Sequence, residues 1–466
     1  MTDLADATAA QLIAAYASNS ATPVDAVQAC LDRIDAVDSD LNAVLVNLGE
    51  QALVQAEASA RRWRDGTARA LEGVPFGLKD IIATEGVTTT GGSALFRDNV
   101  PSADAALAAR LKGAGAILLA KLHTFEFACG GAQNETFGPC HNPWDLSRTT
   151  GGSSSGSGAA VAAGQVTLAI GTDTGGSIRI PAAYCGITGL KATYGRVPRH
   201  GVMGLSWTLD HAGPMTRSVE DSALMLGVIA GYDARDSFSS QRPVPDYRRA
   251  IGAPVRDMVI GRPIGWYADL ADEATLAAVE IAAAQFVELG VRVVDVEIPD
   301  VDLWEVAAWS VMYPEALSYH EAHVYDVENR DAMGSGMLAA SPYVHAVDYL
   351  RALRYRRIAQ GQLEASMQGV TALIAPGAGS VAPKLDSIST TEDSARWLAN
   401  AVRTSMPFNY TGNPALCIPS GFADGLPTSV QLIGRPHDEM SLLTLGSAFQ
   451  ASTEHHKARP DLLSAV

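Results

Sequence analysis

Three stretches of this chain set nucleophilic or basic side chains among glycines. TTGGSSSGSGAAVAAG (149–164) carries Ser153, Ser154, Ser155 and Ser157. GTDTGGSIRIP (171–181) carries Ser177 after two glycines, and GVPFGLKD (73–80) carries Lys79 after an apolar run. A serine hydroxyl attacks a carbonyl when a neighbouring group takes its proton. No histidine lies in or beside either serine motif. A lysine can serve instead if burial lowers its pKa from ~10.4 toward neutrality. The chain has six lysines: Lys79, Lys112, Lys121, Lys191, Lys384 and Lys457. None completes an S-x-x-K motif, and the ordinary reading of Lys79 is a strand-end surface lysine.

The serine-rich stretch admits four readings. A flexible linker is one, but the run passes directly into Ala159–Ala163, a helix-forming segment, and then an apolar strand. A phosphate loop is another. Gly151 and Gly156 have Walker A separation, but Ser157-Gly158 stands where Lys-Ser/Thr is needed, and the dinucleotide pattern fails at Val161. Gly152-Ser153-Ser154-Ser155-Gly156 matches the nucleophile elbow G-x-S-x-G with Ser154 as nucleophile, but polar DLSRTT precedes it where a buried strand is required. In the fourth reading the second motif takes part. Ser177 then stands at a strand-to-helix corner. The backbone N–H groups of Thr174, Gly175, Gly176 and Ser177 are left convergent, suited to a developing oxyanion.

The elements that must hold these residues alternate. Residues 1–65 read as helical, with one helix opening at Thr22-Pro23 and another over 50–64. Strands are expected at 76–78, 116–120, 166–170, 258–260, 291–296, 372–375, 415–419 and 428–433. Helices are expected at 105–111, 272–289 and 438–450. Residues 235–254, polar and proline-bearing, read as a surface excursion. The alternation argues an α/β fold: one large α/β/α domain with a mixed, mostly parallel twisted sheet flanked by helices.

GVPFGLKD, RTTGGSSSGSGAAVAAG and GTDTGGSIRIPAAYCGITGLKATYGRVP, in this order, strongly resemble the amidase signature family. Lys79 and Ser153 are 74 residues apart and Ser153 and Ser177 are 24 apart, both similar to the family's spacing. GNPALCIPSGF and GLPTSVQLIGRPHDE resemble its closing segment. The likeness spans roughly 5–460. It implies one amidase domain over 1–466, comprising a helical segment 1–65, a core 66–230 and the remainder 231–466 with the pocket segments. It also implies a triad of Lys79 as base, Ser153 as a relay on a cis Gly152–Ser153 bond, and Ser177 as acyl-forming nucleophile. Thr174 to Ser177 would supply the oxyanion hole, Ser154 would support the network, and Asp173 with Arg179 would brace the loop. Thr150, Ser155 and Ala192 depart from common family residues without removing a catalytic group.

The resemblance implies an amidase that cleaves a C–N bond of a small amide, aryl or aliphatic, or a carbamate, and needs no cofactor or metal. Two alternatives stay open. One is the glutamine-hydrolysing A subunit of the Asp/Glu-tRNA amidotransferase. That subunit usually carries an acid, to hold the glutamine amino group, where Val402 stands here. The other is a carboxybiuret- or allophanate-type hydrolase, since relatives that cleave carboxylated ureas carry an arginine-rich segment similar to YLRALRYRR, with Arg354, Arg356 and Arg357. A non-catalytic binding protein is disfavoured because all three reactive side chains are present. Pocket candidates are Phe127, Cys129, Gly130, Gly131, the Leu205–Trp207 region, Met312–Tyr313 and Phe408–Tyr410. His320 and His323 have helical metal-ligand spacing but no evident third ligand.

Bulk composition agrees. The chain has 466 residues, 47% hydrophobic and 18% charged, enough for a large core. A net charge of −17 disfavours nucleic acid and anionic membranes as partners. The start lacks a basic n-region, and no apolar run reaches ~18 residues. Five scattered cysteines suit a reduced, cytoplasmic protein. The expected partner is a small-molecule amide; a homodimer is left open.

Overall fold

The computed structural model describes residues 3–323, 338 and 340–465. Local signals set the first helices. Thr22 and Asp25 form a reciprocal capping box at the start of α1 (Pro23–Leu41), with Pro23 in its first turn. β1 (Val44–Asn47) and α2 (Gly49–Arg64) follow. Next come β2 (Pro75–Lys79), β3 (Ile117–Leu122), β4 (His141–Asn142), β5 (Asp145–Thr149) and α3 (Ser155–Ala162). β6 (Leu168–Asp173), α4 (Arg179–Cys185), β7 (Thr188–Lys191) and β8 (His211–Thr216) complete the region of the motifs. The rest contributes β9 (Val259–Pro263), β10 (Arg292–Val296), α5 (Val301–His320), α6 (Ala346–Ser366), β11 (Ala372–Pro376), α7 (Thr391–Ala401), α8 (Met406–Thr411), β12 (Ala415–Ala423) and β13 (Leu426–Gly434).

Eleven of these strands make one sheet in the order β1-β3-β2-β6-β8-β7-β12-β13-β11-β9-β10, so 1–65, 66–230 and 231–466 all contribute to it. The sheet is mixed and flanked by helices, as expected. Parallel pairing is confined to β3-β2-β6 and β11-β9-β10, while the other six of its ten ladders are antiparallel. The parallel share is thus smaller than the strand–helix alternation suggests, because β12 and β13 are a hairpin and β8 inserts antiparallel between β6 and β7, the two strands that α4 connects. The core strands are buried along their whole length, as strands covered on both faces must be.

Residues 145–149 form β5, which pairs with β4 in a separate two-stranded sheet and bridges to Lys384 through Arg148, so no buried strand of the main sheet precedes Ser153. Residues 235–254 lie mostly exposed at the surface, as expected, anchored by the short turn Tyr247–Ala250, which buries Tyr247 and Ala250.

One ladder matters most for the site. β2 and β6 are parallel neighbours, with Phe76 opposite Leu168, Gly77 opposite Ala169 and Leu78 opposite Ile170. Their carboxyl ends therefore lie side by side, the edge where open α/β sheets place ligands. Lys79 closes β2, and Thr172 and Asp173 close β6.

Candidate active site

The register of β2 and β6 brings the Lys79 amine into a fully buried position beside the serine-rich turn. Lys79 Nζ lies 2.7 Å from Ser153 Oγ and 2.8 Å from Thr172 Oγ1. Burial lowers its pKa to about 7, although Asp173 and Asp210 pull the other way. Near neutral pH a large share of this amine is unprotonated. The Gly152–Ser153 peptide bond is cis. Gly152 faces the Phe125 ring so closely that a Cβ there would overlap it. Ser154 has another position. Its Oγ donates to Thr172 O and accepts from Thr172 N–H, both at 3.2 Å, and its own N–H donates to Ser177 O at 3.3 Å. The turn that carries Ser153 is thereby sewn to the end of β6 and to the Ser177 loop.

Ser177 stands between β6 and α4. It is the one residue of 171–180 that is half-buried rather than buried. Gly176 adopts φ +143°, a backbone conformation a side chain would strain. The backbone N–H groups of Thr174, Gly175, Gly176 and Ser177 make no hydrogen bond among the described residues. A buried ion pair fixes this loop. Arg179 Nε and Nη2 each donate to Asp173 at 2.9 Å, and Ile178 N–H adds a third bond to that carboxylate at 3.2 Å. Asn409 bridges the pair, accepting from Arg179 and donating to Asp173. Arg179 holds the Asp173 carboxyl well below the usual carboxylate range, against the opposing cost of burial. Removing one partner would leave the other charge buried and uncompensated. Arg179→Ala is therefore expected to lower the unfolding free energy by about 3–5 kcal/mol, read as a drop in the urea midpoint.

Ser153 and Ser177 open onto the same small cavity of ≈ 40 Å³. Cys129, Thr174 and Gly175 line it, together with Phe125, Ala128, Leu205, Trp309, Met312, Leu398, Val402 and Met406; no charged side chain does. A second cavity of ≈ 240 Å³ adjoins it through the shared residues Ala128, Thr174 and Leu205, and Trp207 lines this one. The other pocket candidates lie elsewhere. Phe127 stacks on His320, Tyr313 stacks on Trp309 and Phe408 packs edge-on to Trp266. Tyr410 donates to Ala352 O beneath the Arg356 guanidinium. Gly130 and Gly131 line neither cavity. Of the arginine run, Arg356 donates to Thr208 O and Oγ1, and Arg354 lines a surface groove between α5 and α6.

Other basic groups are placed differently. Lys121 pairs with Asp80 at 3.0 Å, and Lys191 donates to Asn413 O. His123 bonds Ser155 Oγ and Gly138 O, and burial lowers its pKa to about 4. His320 faces Gly204 O, and His323 meets the Phe96 ring. Among the described residues no group of three or more His, Cys, Asp or Glu is placed to hold a metal, and no helix is long and apolar enough to cross a membrane.

Known proteins share this arrangement of chain. The family model named Amidase matches residues 25–443. The A subunit of the glutamyl-tRNA(Gln) amidotransferase of Moorella thermoacetica is 40% identical over 466 residues, covering 94% of this chain and 95% of that protein. A solved structure tied to a vestigial protein complex and the origins of an s-triazine catabolic enzyme superimposes with a TM-score of 0.89 at 33% identity, covering 96% of this chain and 98% of that one. A bacterial aryl acylamidase of the amidase signature family gives a TM-score of 0.87 at 25% identity, covering 99% of each chain. The chain belongs to the amidase signature family, whose members are hydrolases acting on C–N amide bonds.

Proposed function

We propose that the protein is a stand-alone amidohydrolase that cleaves small, uncharged amides through an acyl-enzyme on Ser177. The observation that carries this reading is the 2.7 Å contact between the buried Lys79 amine, its pKa lowered by burial, and Ser153, in a cavity that Ser153 shares with Ser177. Ser177 Oγ attacks the amide carbonyl as its proton passes to Ser153, and the Ser153 proton passes to Lys79. The N–H groups of Thr174 to Ser177 receive the developing oxyanion. When the tetrahedral intermediate collapses, the C–N bond breaks and the proton returns from Lys79 through Ser153 to the leaving nitrogen. Water then takes the place of the amine and hydrolyses the ester by the same relay. Ser154 and the Asp173–Arg179 pair hold the frame.

The lining supports a compact apolar acyl group. An ammonium entering this cavity would be desolvated without a counter-charge, a cost of several kcal/mol. Val402 stands in its wall, so a glutamine amino group finds no acid there. That weighs against glutaminase activity, despite the 40% identity to one component of an amidotransferase. A second reading is a carboxylated urea, favoured by the arginine-rich run of α6 and the likeness to the structure tied to an s-triazine catabolic enzyme. The expected partner is a small molecule rather than nucleic acid or membrane. The five cysteines are scattered along the chain and buried, which supports a reducing, cytoplasmic location.

A substrate panel tests the choice. Short aliphatic and aryl amides are expected to give kcat/KM at least about 100-fold above glutamine, in line with rejection of an unpaired charge. A preference for carboxylated ureas over both would transfer the assignment to the second reading. Glutamine hydrolysis that appears only with added partner chains would transfer it to the amidotransferase.

A further inference from the structure

The segment Leu205–Thr208 lines the serine cavity through Leu205, and α5 lines it through Trp309 and Met312. Two buried carboxylates clamp this segment. Asp210 accepts from the N–H groups of Leu205 and Ser206, and from Thr174 Oγ1 at 2.6 Å. The segment is thereby fixed to the oxyanion loop. Glu315, three residues beyond Met312 on α5, accepts from Ser206 Oγ at 2.5 Å, Thr208 N–H at 3.1 Å and Thr208 Oγ1 at 2.9 Å. Tyr349 of α6 donates to the same carboxylate at 3.1 Å. Glu315 is 1% exposed and makes no ion pair within 4 Å among the described residues. Its acceptor sites are all turned to this cross-link.

We propose that Glu315 is a positioning residue that sets the size of acyl group the enzyme accepts, by holding the Leu205 wall at a fixed separation from Trp309 and Met312. The inference rests on the Ser177 acyl-enzyme reading above, because only then is this cavity the acyl site. Glu315 touches neither serine nor Lys79, so it leaves the proton relay intact. Burying a carboxylate is costly unless donors satisfy it, and here four hydrogen bonds do. The same donors tie a loop to a helix that also lines the cavity. Their loss frees the wall without altering a reacting atom.

The test compares acetamide with hexanamide and benzamide, with kcat and KM measured separately on Glu315→Ala, Glu315→Gln and Ser206→Ala. Glu315→Ala is expected to move the bulky-to-small ratio of kcat/KM by about tenfold toward the bulky amides, the scale of a pocket gaining one or two methylenes of room. Glu315→Gln keeps an acceptor oxygen and is expected to fall between Ala and the parent. Ser206→Ala removes one donor, shifts the ratio by a smaller factor, and gives a folded reference if Glu315→Ala unfolds. The acid limb of the pH profile stays where it is in all three. An unchanged ratio in both Glu315→Gln and Ser206→Ala, or an equal loss on all three amides, overturns the proposal. Ser177→Ala separates the two levels: activity surviving in it refutes the acyl-enzyme reading, whereas an inactive Ser177→Ala with unchanged ratios refutes only the role of Glu315.

Discussion

Ser177→Ala is expected to lower kcat by about 10⁴-fold or more, and to abolish labelling by a fluorophosphonate. The chain offers several serines, and geometry separates them. Ser154 and Ser155 are fully buried, and their hydroxyls are committed: Ser154 to the backbone of Thr172, Ser155 to His123. Ser157 donates to Ile170 O within the packing of α3. Ser153 reaches the cavity, but its Oγ is held by Lys79. Ser177 also reaches it, at the loop whose N–H groups are unengaged and can receive charge. A nucleophile needs access, a route for its proton and donors for the oxyanion it creates. Ser177 is the one serine of the two motifs with the first and third, and Ser153 supplies the second. Mass mapping is therefore expected to find the phosphonate on Ser177. Ser154→Ala is expected to keep most turnover, losing at most the frame of two weak hydrogen bonds, about 1 kcal/mol each. An adduct on Ser154, or undiminished hydrolysis by Ser177→Ala, would sink the assignment.

Much of this site is legible in the sequence because its parts are local. Glycine pairs, a serine after them and a lysine after an apolar run are read off directly. The strand–helix corner at Ser177 follows from the switch of pattern after residue 170. Thr172 carries no such signal, although its hydroxyl holds the Lys79 amine. That contact arises from the parallel register of β2 and β6, and no local pattern reports which strands will be neighbours. The pocket poses the same difficulty. Phe127, Phe408 and Tyr410 have the residue types of an apolar pocket, but the same types fill a core, and these three face Phe96 or His320, Trp266 and the Ala352 carbonyl. Cys129, Leu205 and Met312 among the expected pocket residues do line the cavity, and the rest of its walls come from Trp309, three residues before Met312, and from Leu398, Val402 and Met406, four apart. Helical spacing puts Trp309 and Met312 on one face of α5, but Leu398, Val402 and Met406 span the end of α7, the turn after it and the start of α8, and only the fold shows that both sets line the cavity of Ser153. Glu315 and Asp210 carry no local signal in the sequence, and only the structure shows that both are buried.

The second large effect concerns the base. The kcat/KM profile is expected to rise with pH through about 7 and to level off above it. Lys79 is the cause, and the sign follows from its burial: desolvation disfavours the ammonium, so its folded-state pKa falls to about 7, and the competent neutral amine predominates only above that value. Below it the protonated amine cannot accept the Ser153 proton. The buried His123 and His211 do not explain such a limb, because burial holds His123 near 4 and His211 well below the usual histidine value, the latter with Lys191 adding to the effect. Lys79→Ala is expected to cost about 10³-fold or more in kcat and to remove the limb. Lys79→Arg is expected to be as inactive, since a guanidinium stays charged at every working pH. Thr172→Val provides a graded test. Thr172 Oγ1 accepts from the amine and favours its charged form, so its loss is expected to move the limb to lower pH. It is also expected to lower kcat about tenfold as the amine loses one of its two fixed contacts. A flat profile between pH 5 and 9, or a limb that survives Lys79→Ala, would show that another group takes the proton.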